Sequence, residues 1–436
     1  MSEVSLEEVI SEKAFAKLVQ ARSGMYFRLV RTLGTKAPDG WGRRHFFQLT
    51  IEADDFESFL DDYGARYNRT FHFVRELVAS VRGFAMAGFS IVHLMHRLRS
   101  YRAELSMPAG EFEQSFEAIR TARATIVETL RTLMTATLEE ARTLDLELDD
   151  GEFPDELYVS EDVSRKSLPR NVGQEDLEDE EQKIAEVCSK YLQACDSLGA
   201  LGVRRLHDPA ERERFLNEVC NEERARVLEA SVHNLQSAYD TYIKNSVIEA
   251  RDDRLPRLRG HVSAALHFLE AVTQLTHFVE RHERDNRQGR GELRIDTLVD
   301  RTQVRDLTLN GLLYWANRYM QGGRTLAEDL LPSYTNVQEL AVVIADDLVV
   351  HARPAALIVA IVNRYGTPVE LEIEGAVCNA GSILELMVAV GSHPDAKRFV
   401  FRGDEHPLQD IRILFESRLG EDGLDALPAA LGYLRS

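Results

Sequence analysis

The segment VVHARPAALIVAIVNRYG (349–366) sets a histidine, an arginine and a proline directly before a long apolar run. These residue types at that spacing could handle an anion. If a helix begins at Ala352–Pro354, the ring of His351 lies where free backbone N–H groups and the positive end of the helix dipole can receive one. Pro354 suits the first helical turn, where its missing N–H costs nothing. Arg353 brings a delocalised, always-charged group able to bond a phosphoryl oxygen. A neutral imidazole nitrogen can attack phosphorus, and the product is labile enough to pass on. The same residues also fit a plainer role, in which His351 caps the helix or fills a surface niche.

Other constellations carry less chemistry. His93 and His96 stand i and i+3 on one helix and could be half of a metal site, but no Glu-x-x-His unit accompanies them. His261, His267, His277 and His282 are spread around another helix, so the expectation is structural histidines, no metal and no cofactor. GRGEL (289–293) and GGR (322–324) lack phosphate-loop spacing, and neither a nucleophile elbow nor a dinucleotide fingerprint is present. Trp41 and Trp315 read as core anchors. Cys188, Cys195, Cys220 and Cys378 are too scattered for a disulfide framework and read as reduced thiols in the cytoplasm.

The elements that must position these residues follow from periodicity. The chain has 436 residues, 44% hydrophobic and 28% charged, which is a globular composition of two or three domains. Its formal net charge of −20 argues against non-specific nucleic-acid or anionic-membrane binding. The start lacks the pattern of a signal peptide, and the most apolar run, 83–95, is too short to span a bilayer, so a cytoplasmic protein without membrane insertion is expected. A capping box at Ser5 predicts a helix to about Leu33. Further helices are predicted over about Ala53–Tyr101, with breaks near Gly64 and Gly88, and over about Ala109–Leu146. Together, 1–146 reads as an up-down helical bundle. Residues 147–181 read as an acidic, partly disordered linker. A second helical block, 182–333, follows, with Asp208-Pro209 as a start signal and room to pack with the first as one bundle. From about Tyr334 the period changes. A strand running to near Val350, a helix (Ala352–Tyr365), strands at Thr367–Ile373 and Ala376–Cys378, a helix (Ser382–Val390), a strand (Arg398–Arg402), a turn at Gly403-Asp404 and a helix (Leu408–Leu419) give βαββαβα, a separate α+β domain over 334–436.

That order of elements, with HARPA (351–355) opening the first helix and GSILELMVAVGS (381–392) in the second, resembles HPr, the histidine-containing phosphocarrier family of the bacterial sugar phosphotransferase system. The resemblance covers about Asn336 to Gly423. It implies an open-faced α+β sandwich for this domain; the N-terminal region, mostly α by its periodicity, resembles no family. It also implies His351 as phosphoacceptor through Nδ1, Arg353 as phosphate contact and Pro354 as helix start. Ser382 matches a position that some bacteria phosphorylate with an ATP-dependent kinase, and a serine there is also a good N-cap. Ile383, Leu384 and Met387 match a partner-docking patch. In the family the phosphoryl group comes from phosphoenolpyruvate through a partner enzyme, so the carrier is a substrate in relay and catalyses little itself. The partners implied are proteins: a phosphotransferase-system enzyme for this domain, and a partner or second copy for the helical block. The sequence departs from the family in having Val349 where a glycine usually stands. Asp346 and Asp347 lie just upstream, and Gly381 and Glu385 occupy a helix that usually carries lysines. The expected function is therefore a bacterial regulatory or phosphorelay protein. The alternative is a scaffold that keeps the fold without phosphotransfer.

Overall fold

The structure is a computed structural model and describes residues 9–148, 150–159, 177–283 and 295–435. The capping box at Ser5, most of the acidic linker and the polar loop at 286–293 lie outside the described residues. Two compact units are formed: one draws on 1–168, 197–233 and 260–322, the other on 169–196, 234–259 and 323–436. Neither is one run of sequence.

In the first unit, α1 (Glu12–Arg22) and α2 (Gly24–Thr35) replace the single helix predicted to Leu33. Ser23 ends α1, its backbone N–H (3.0 Å) and its hydroxyl (2.7 Å) both donating to the Val19 carbonyl. Helix α3 (Arg43–Asp62) starts ten residues before the predicted Ala53, and Gly64 turns the chain with φ of 72°. Helix α4 (His72–Arg97) runs straight through Gly88, where a break was predicted. Gly88 is a close-approach position: a Cβ there would come within 2.2 Å of the Phe46 ring on α3. The apolar run at 83–95 is thus part of a much longer helix. By length and composition this helix could cross a membrane, but 72% of its apolar window is buried within the protein, packed on α3 and on α5 (Glu111–Thr143). The expected core anchors Trp41 and Trp315 are buried.

Charge is buried in this unit too. The Arg75 side chain, 4% exposed, meets Glu57 at 2.9 Å and Glu76 at 3.1 Å, and it also pairs with Asp61. Arg281 reaches Glu76 at 3.0 Å and Arg82 reaches Glu57 at 2.6 Å. The later helices are α6 (Leu177–Ala200), α7 (Pro209–Glu218), α8 (Glu222–Tyr242), α9 (Val247–Arg251), α10 (Arg254–Glu283), α11 (Arg301–Asp306), α12 (Tyr314–Gly322) and α13 (Arg324–Leu330). Asp208 caps α7 ahead of Pro209 as its sequence signals, and a π-helical stretch, Leu307–Leu313, joins α11 to α12. Residues of α6, α8 and α10 are divided between the two units.

The second unit contains the α+β fold: β1 (Val337–Val343), α14 (Ala352–Tyr365), β2 (Val369–Ile373), β3 (Ala376–Asn379), α15 (Ile383–Ser392), β4 (Arg398–Asp404) and α16 (Glu405–Glu416). The strands form one antiparallel sheet in the order β1-β4-β2-β3, with Leu340 opposite Phe401 and Leu371 opposite Phe401 from the other side. Alternation along β2 buries Val369, Leu371 and Ile373 and leaves Glu370 exposed, so the helices cover one sheet face. Leu371, Phe401, Ile358, Ile361, Leu386 and Ile411 share this core. The βαββαβα order and the open-faced architecture are as expected.

Two boundaries differ. Strand β1 stops at Val343, and 344–350 is a loop. The predicted Gly403-Asp404 turn is the end of β4, and α16 begins immediately at Glu405 instead of Leu408. The Asp404 carboxylate accepts the Asn336 N–H at 2.9 Å, which ties the end of β4 to the start of β1 and leaves no free turn. Beyond α16, Leu419, Leu427 and Leu431 return to the core, and Tyr433 joins Tyr365 in donating to the Asp410 carboxylate at 2.6 and 2.8 Å. On the far side of α14, Gln182 of α6 donates to the Tyr365 carbonyl at 3.1 Å, and the Glu186 side chain lies against Gly366, the left-handed residue that ends the helix.

Candidate functional site

The site is built on the loop 344–350 and the start of α14. The Ile344 N–H donates to the Lys397 carbonyl at 2.9 Å, and the Leu348 N–H closes a turn on Ala345 at 3.0 Å. The Lys397 ammonium donates to the carbonyls of Asp346 (3.1 Å) and Leu348 (3.0 Å), holding the loop from outside. Leu348 and Val350 point into the core while Val349 is exposed. Val349 is not among the non-glycine residues with positive φ, so this loop is built without the conformation that would call for glycine.

His351 is the N-cap of α14, with extended backbone and its carbonyl accepting the Ala355 N–H at 3.0 Å. Its Nδ1 accepts the Arg353 N–H at 3.3 Å, which leaves the ring proton to Nε2. The Nε2 atom lies 3.0 Å from Oε1 of Glu421, and about half of the ring faces solvent, its side chain being 52% exposed. Arg353 is exposed, and its guanidinium has no ion pair among the described residues. Pro354 is buried in the first turn, as its lack of an N–H allows. A half-open imidazole therefore sits at a helix N-terminus, beside a free guanidinium.

Glu421 is delivered by an unusual stretch of backbone. Arg418, Leu419 and Gly420 have φ of 51°, 58° and 74°, three left-handed residues in succession, two of them not glycine. Such residues cost about 1 kcal/mol or more each and persist where surrounding structure over-determines them. Here Leu419 is anchored in the core, and Arg418 pairs with Asp347 at 2.6 Å. The Arg418 hydrogen bond holds the Asp347 carboxyl below its usual range. The negative charge of Asp347, upstream of His351, is thus matched by the Arg418 cation, and Asp346 contributes its carbonyl to Lys397.

Ser382 is the N-cap of α15, accepting the Glu385 N–H at 3.4 Å, and the Glu385 carboxylate accepts the Asn379 N–H at 3.0 Å. Among the three apolar residues singled out in α15, Ile383 and Leu384 are exposed, whereas Met387 is half-buried against the core. Val388, 61% exposed, joins them one helical turn beyond Leu384. The i, i+4 spacing was the available signal for Val388. Glu421, Arg418 and Lys397 carried no sequence signal, because each reaches the site by tertiary contact alone.

The other histidine candidates go elsewhere. The His93 ring packs on His267 at a tilt, centroids 4.4 Å and planes 56° apart, and burial lowers His93 to about 4. His267 is bonded in turn to Glu270 at 2.9 Å, and His96 takes no part in this group. No cluster of three metal-ligating side chains occurs among the described residues.

A four-stranded antiparallel sheet backed by helices, with a histidine capping the first helix ahead of arginine and proline, defines an α+β domain of the phosphocarrier kind. Residues 338–402 match the family model described as the PTS HPr component phosphorylation site, so the C-terminal domain is HPr-like. The N-terminal region matches no family model. Comparison with curated proteins and with solved structures gives no match.

Proposed function

We propose that the HPr-like domain accepts a phosphoryl group on Nδ1 of His351 and that the protein is a regulatory or relay component of a bacterial cytoplasmic phosphotransferase system. The observation that carries this reading is the direction of Nδ1, toward the open helix N-terminus and the Arg353 N–H. The free N–H groups and Arg353 supply hydrogen bonds and positive charge to phosphoryl oxygens, and the domain turns over no substrate of its own. Ile383, Leu384 and Val388 form the apolar face on which a donor enzyme would dock, and Ser382, with its hydroxyl near the surface, is a candidate regulatory phosphosite. The helical units serve as the partner-binding part, through another protein or a second copy.

A second reading, a scaffold that keeps the fold without transfer, draws on Glu385, an exposed acid on the docking helix. One experiment separates the two. The full chain is incubated with phosphoenolpyruvate and the general phosphotransferase enzyme of its source organism, and acid-labile phosphate is measured. The expected result is label on the wild type and none on His351→Ala. Absence of His351-dependent label would leave the scaffold reading standing.

A further inference from the structure

We propose that Glu421 is a positioning residue for His351: its carboxylate holds the Nε2 proton, keeps Nδ1 unprotonated, and balances the positive charge that the ring gains when Nδ1 bonds phosphorus. This rests on the phosphoacceptor reading above. It adds a residue outside both the HARPA segment and the 338–402 match.

Three observations carry it. Oε1 of Glu421 is shielded from solvent and has no hydrogen-bond partner, yet it stands at ion-pair distance, 3.0 Å, from Nε2. A buried carboxylate oxygen requires a donor, and Nε2–H is the one beside it. On the opposite edge of the ring, Nδ1 is already committed as an acceptor to the Arg353 N–H, so both edges select the same tautomer. Finally, the left-handed turn at 418–420, the Arg418–Asp347 pair and the core anchors Leu419 and Leu427 fix where residue 421 can be. Unfavourable backbone conformation is maintained here to aim one side chain at the ring.

The chemistry explains why a carboxylate belongs there. A phosphohistidine on the donor enzyme gives up its N–P bond, and the donor imidazole leaves with that electron pair as a neutral ring. The Nδ1 lone pair of His351, released from the Arg353 N–H, forms the new N–P bond. The Nε2 proton stays on His351, so the positive charge formerly on the donor ring is now on this one. A carboxylate in contact with Nε2–H stabilises that charge as it develops, from the side of the ring away from the phosphoryl oxygens.

The test uses the full chain and the variants Glu421→Gln and Glu421→Ala. Gln keeps an oxygen acceptor but loses the charge; Ala loses both. Phosphoryl transfer from the phosphoenolpyruvate-charged general enzyme should slow about tenfold in Glu421→Gln and further in Glu421→Ala, with thermal unfolding unchanged. Imidazole 15N shifts should report Nε2–H for His351 in the wild type and in Glu421→Gln, and a mixture of tautomers in Glu421→Ala. Wild-type transfer rates in both variants would overturn the inference while leaving the phosphoacceptor reading intact. If the wild type itself takes no label, that reading fails, and an unchanged tautomer in Glu421→Ala then overturns the role of Glu421 independently.

Discussion

Arg75 and Arg353 put the same guanidinium to opposite uses. Arg75, in the first turn of α4, is sealed from water and met by Glu57, Asp61 and Glu76. Arg353, in the first turn of α14, is exposed and has no carboxylate partner among the described residues. A buried cation surrounded by acids has spent its hydrogen-bonding capacity on the fold. An exposed one on a rigid helix start keeps that capacity for an incoming anion. The histidines divide likewise: His93 is packed on another ring and desolvated, while His351 is half open, with Nδ1 bonded to the Arg353 N–H and Nε2 beside a carboxylate. Burial together with partner count separates architecture from chemistry better than residue type does.

Breaking this contrast should have its largest effect at Arg75. Arg75→Ala leaves Glu57 and Glu76 buried with less compensation and should destabilise the first unit by about 3–5 kcal/mol. Arg353→Ala should change stability by no more than about 0.5 kcal/mol while reducing phosphoryl acceptance. Both tryptophans lie in the first unit, so urea unfolding followed by their fluorescence reads the Arg75 effect directly.

The next effect is a pH dependence. Burial is the main cause that pushes Glu76 from its usual 4.5 up to about 7, against the pull of Arg75. Its folded form therefore binds the proton more tightly than its unfolded form. Its contribution to stability is fully present below about 4.5 and is lost as pH rises through about 7. Over that window the first unit should lose about 3 kcal/mol, and Glu76→Gln should flatten the curve, as tryptophan-detected unfolding at several pH values would reveal. A Glu76→Gln curve parallel to the wild type would assign the slope to other groups.

The smallest effects belong to the surface of α15. Ser382→Ala removes an N-cap and should weaken α15 by about 1 kcal/mol, measurable as faster amide exchange in Ile383–Ser392. Leu384→Ser, at a position 72% exposed, should leave exchange unchanged and slow only the reaction with the donor enzyme. A loss of stability in Leu384→Ser would place this residue in the core and remove it from the docking face.

Much of the HPr-like domain was legible because its signals are local. Pro354 and the apolar run that follows it mark α14, and Ser382 announces α15. The helical region was read less well where packing overrode local preference. Gly88 suggested a break, yet the helix continues because a missing Cβ is what lets Phe46 close against it. The Ser5–Leu33 periodicity suggested one helix, yet Ser23 turns its hydroxyl and its N–H back on Val19 and ends the first of two. The first β-branched run extended past Val343 in sequence, but the last strand pair is Val343 with Arg398, and after one further hydrogen bond from Ile344 to Lys397 the chain leaves the sheet.

What the sequence determined by itself was the kind of chemistry available at His351: an imidazole, a guanidinium and a helix start within four residues, whose relations depend on backbone geometry alone. What only the tertiary structure decided was the state of that imidazole. Glu421 and Lys397 lie far along the chain from His351, and they come to the loop and the ring through sheet pairing, a left-handed turn and leucines buried in a shared core. Local propensity acts over a few residues, whereas a charge relation across such separations exists only once the core has formed.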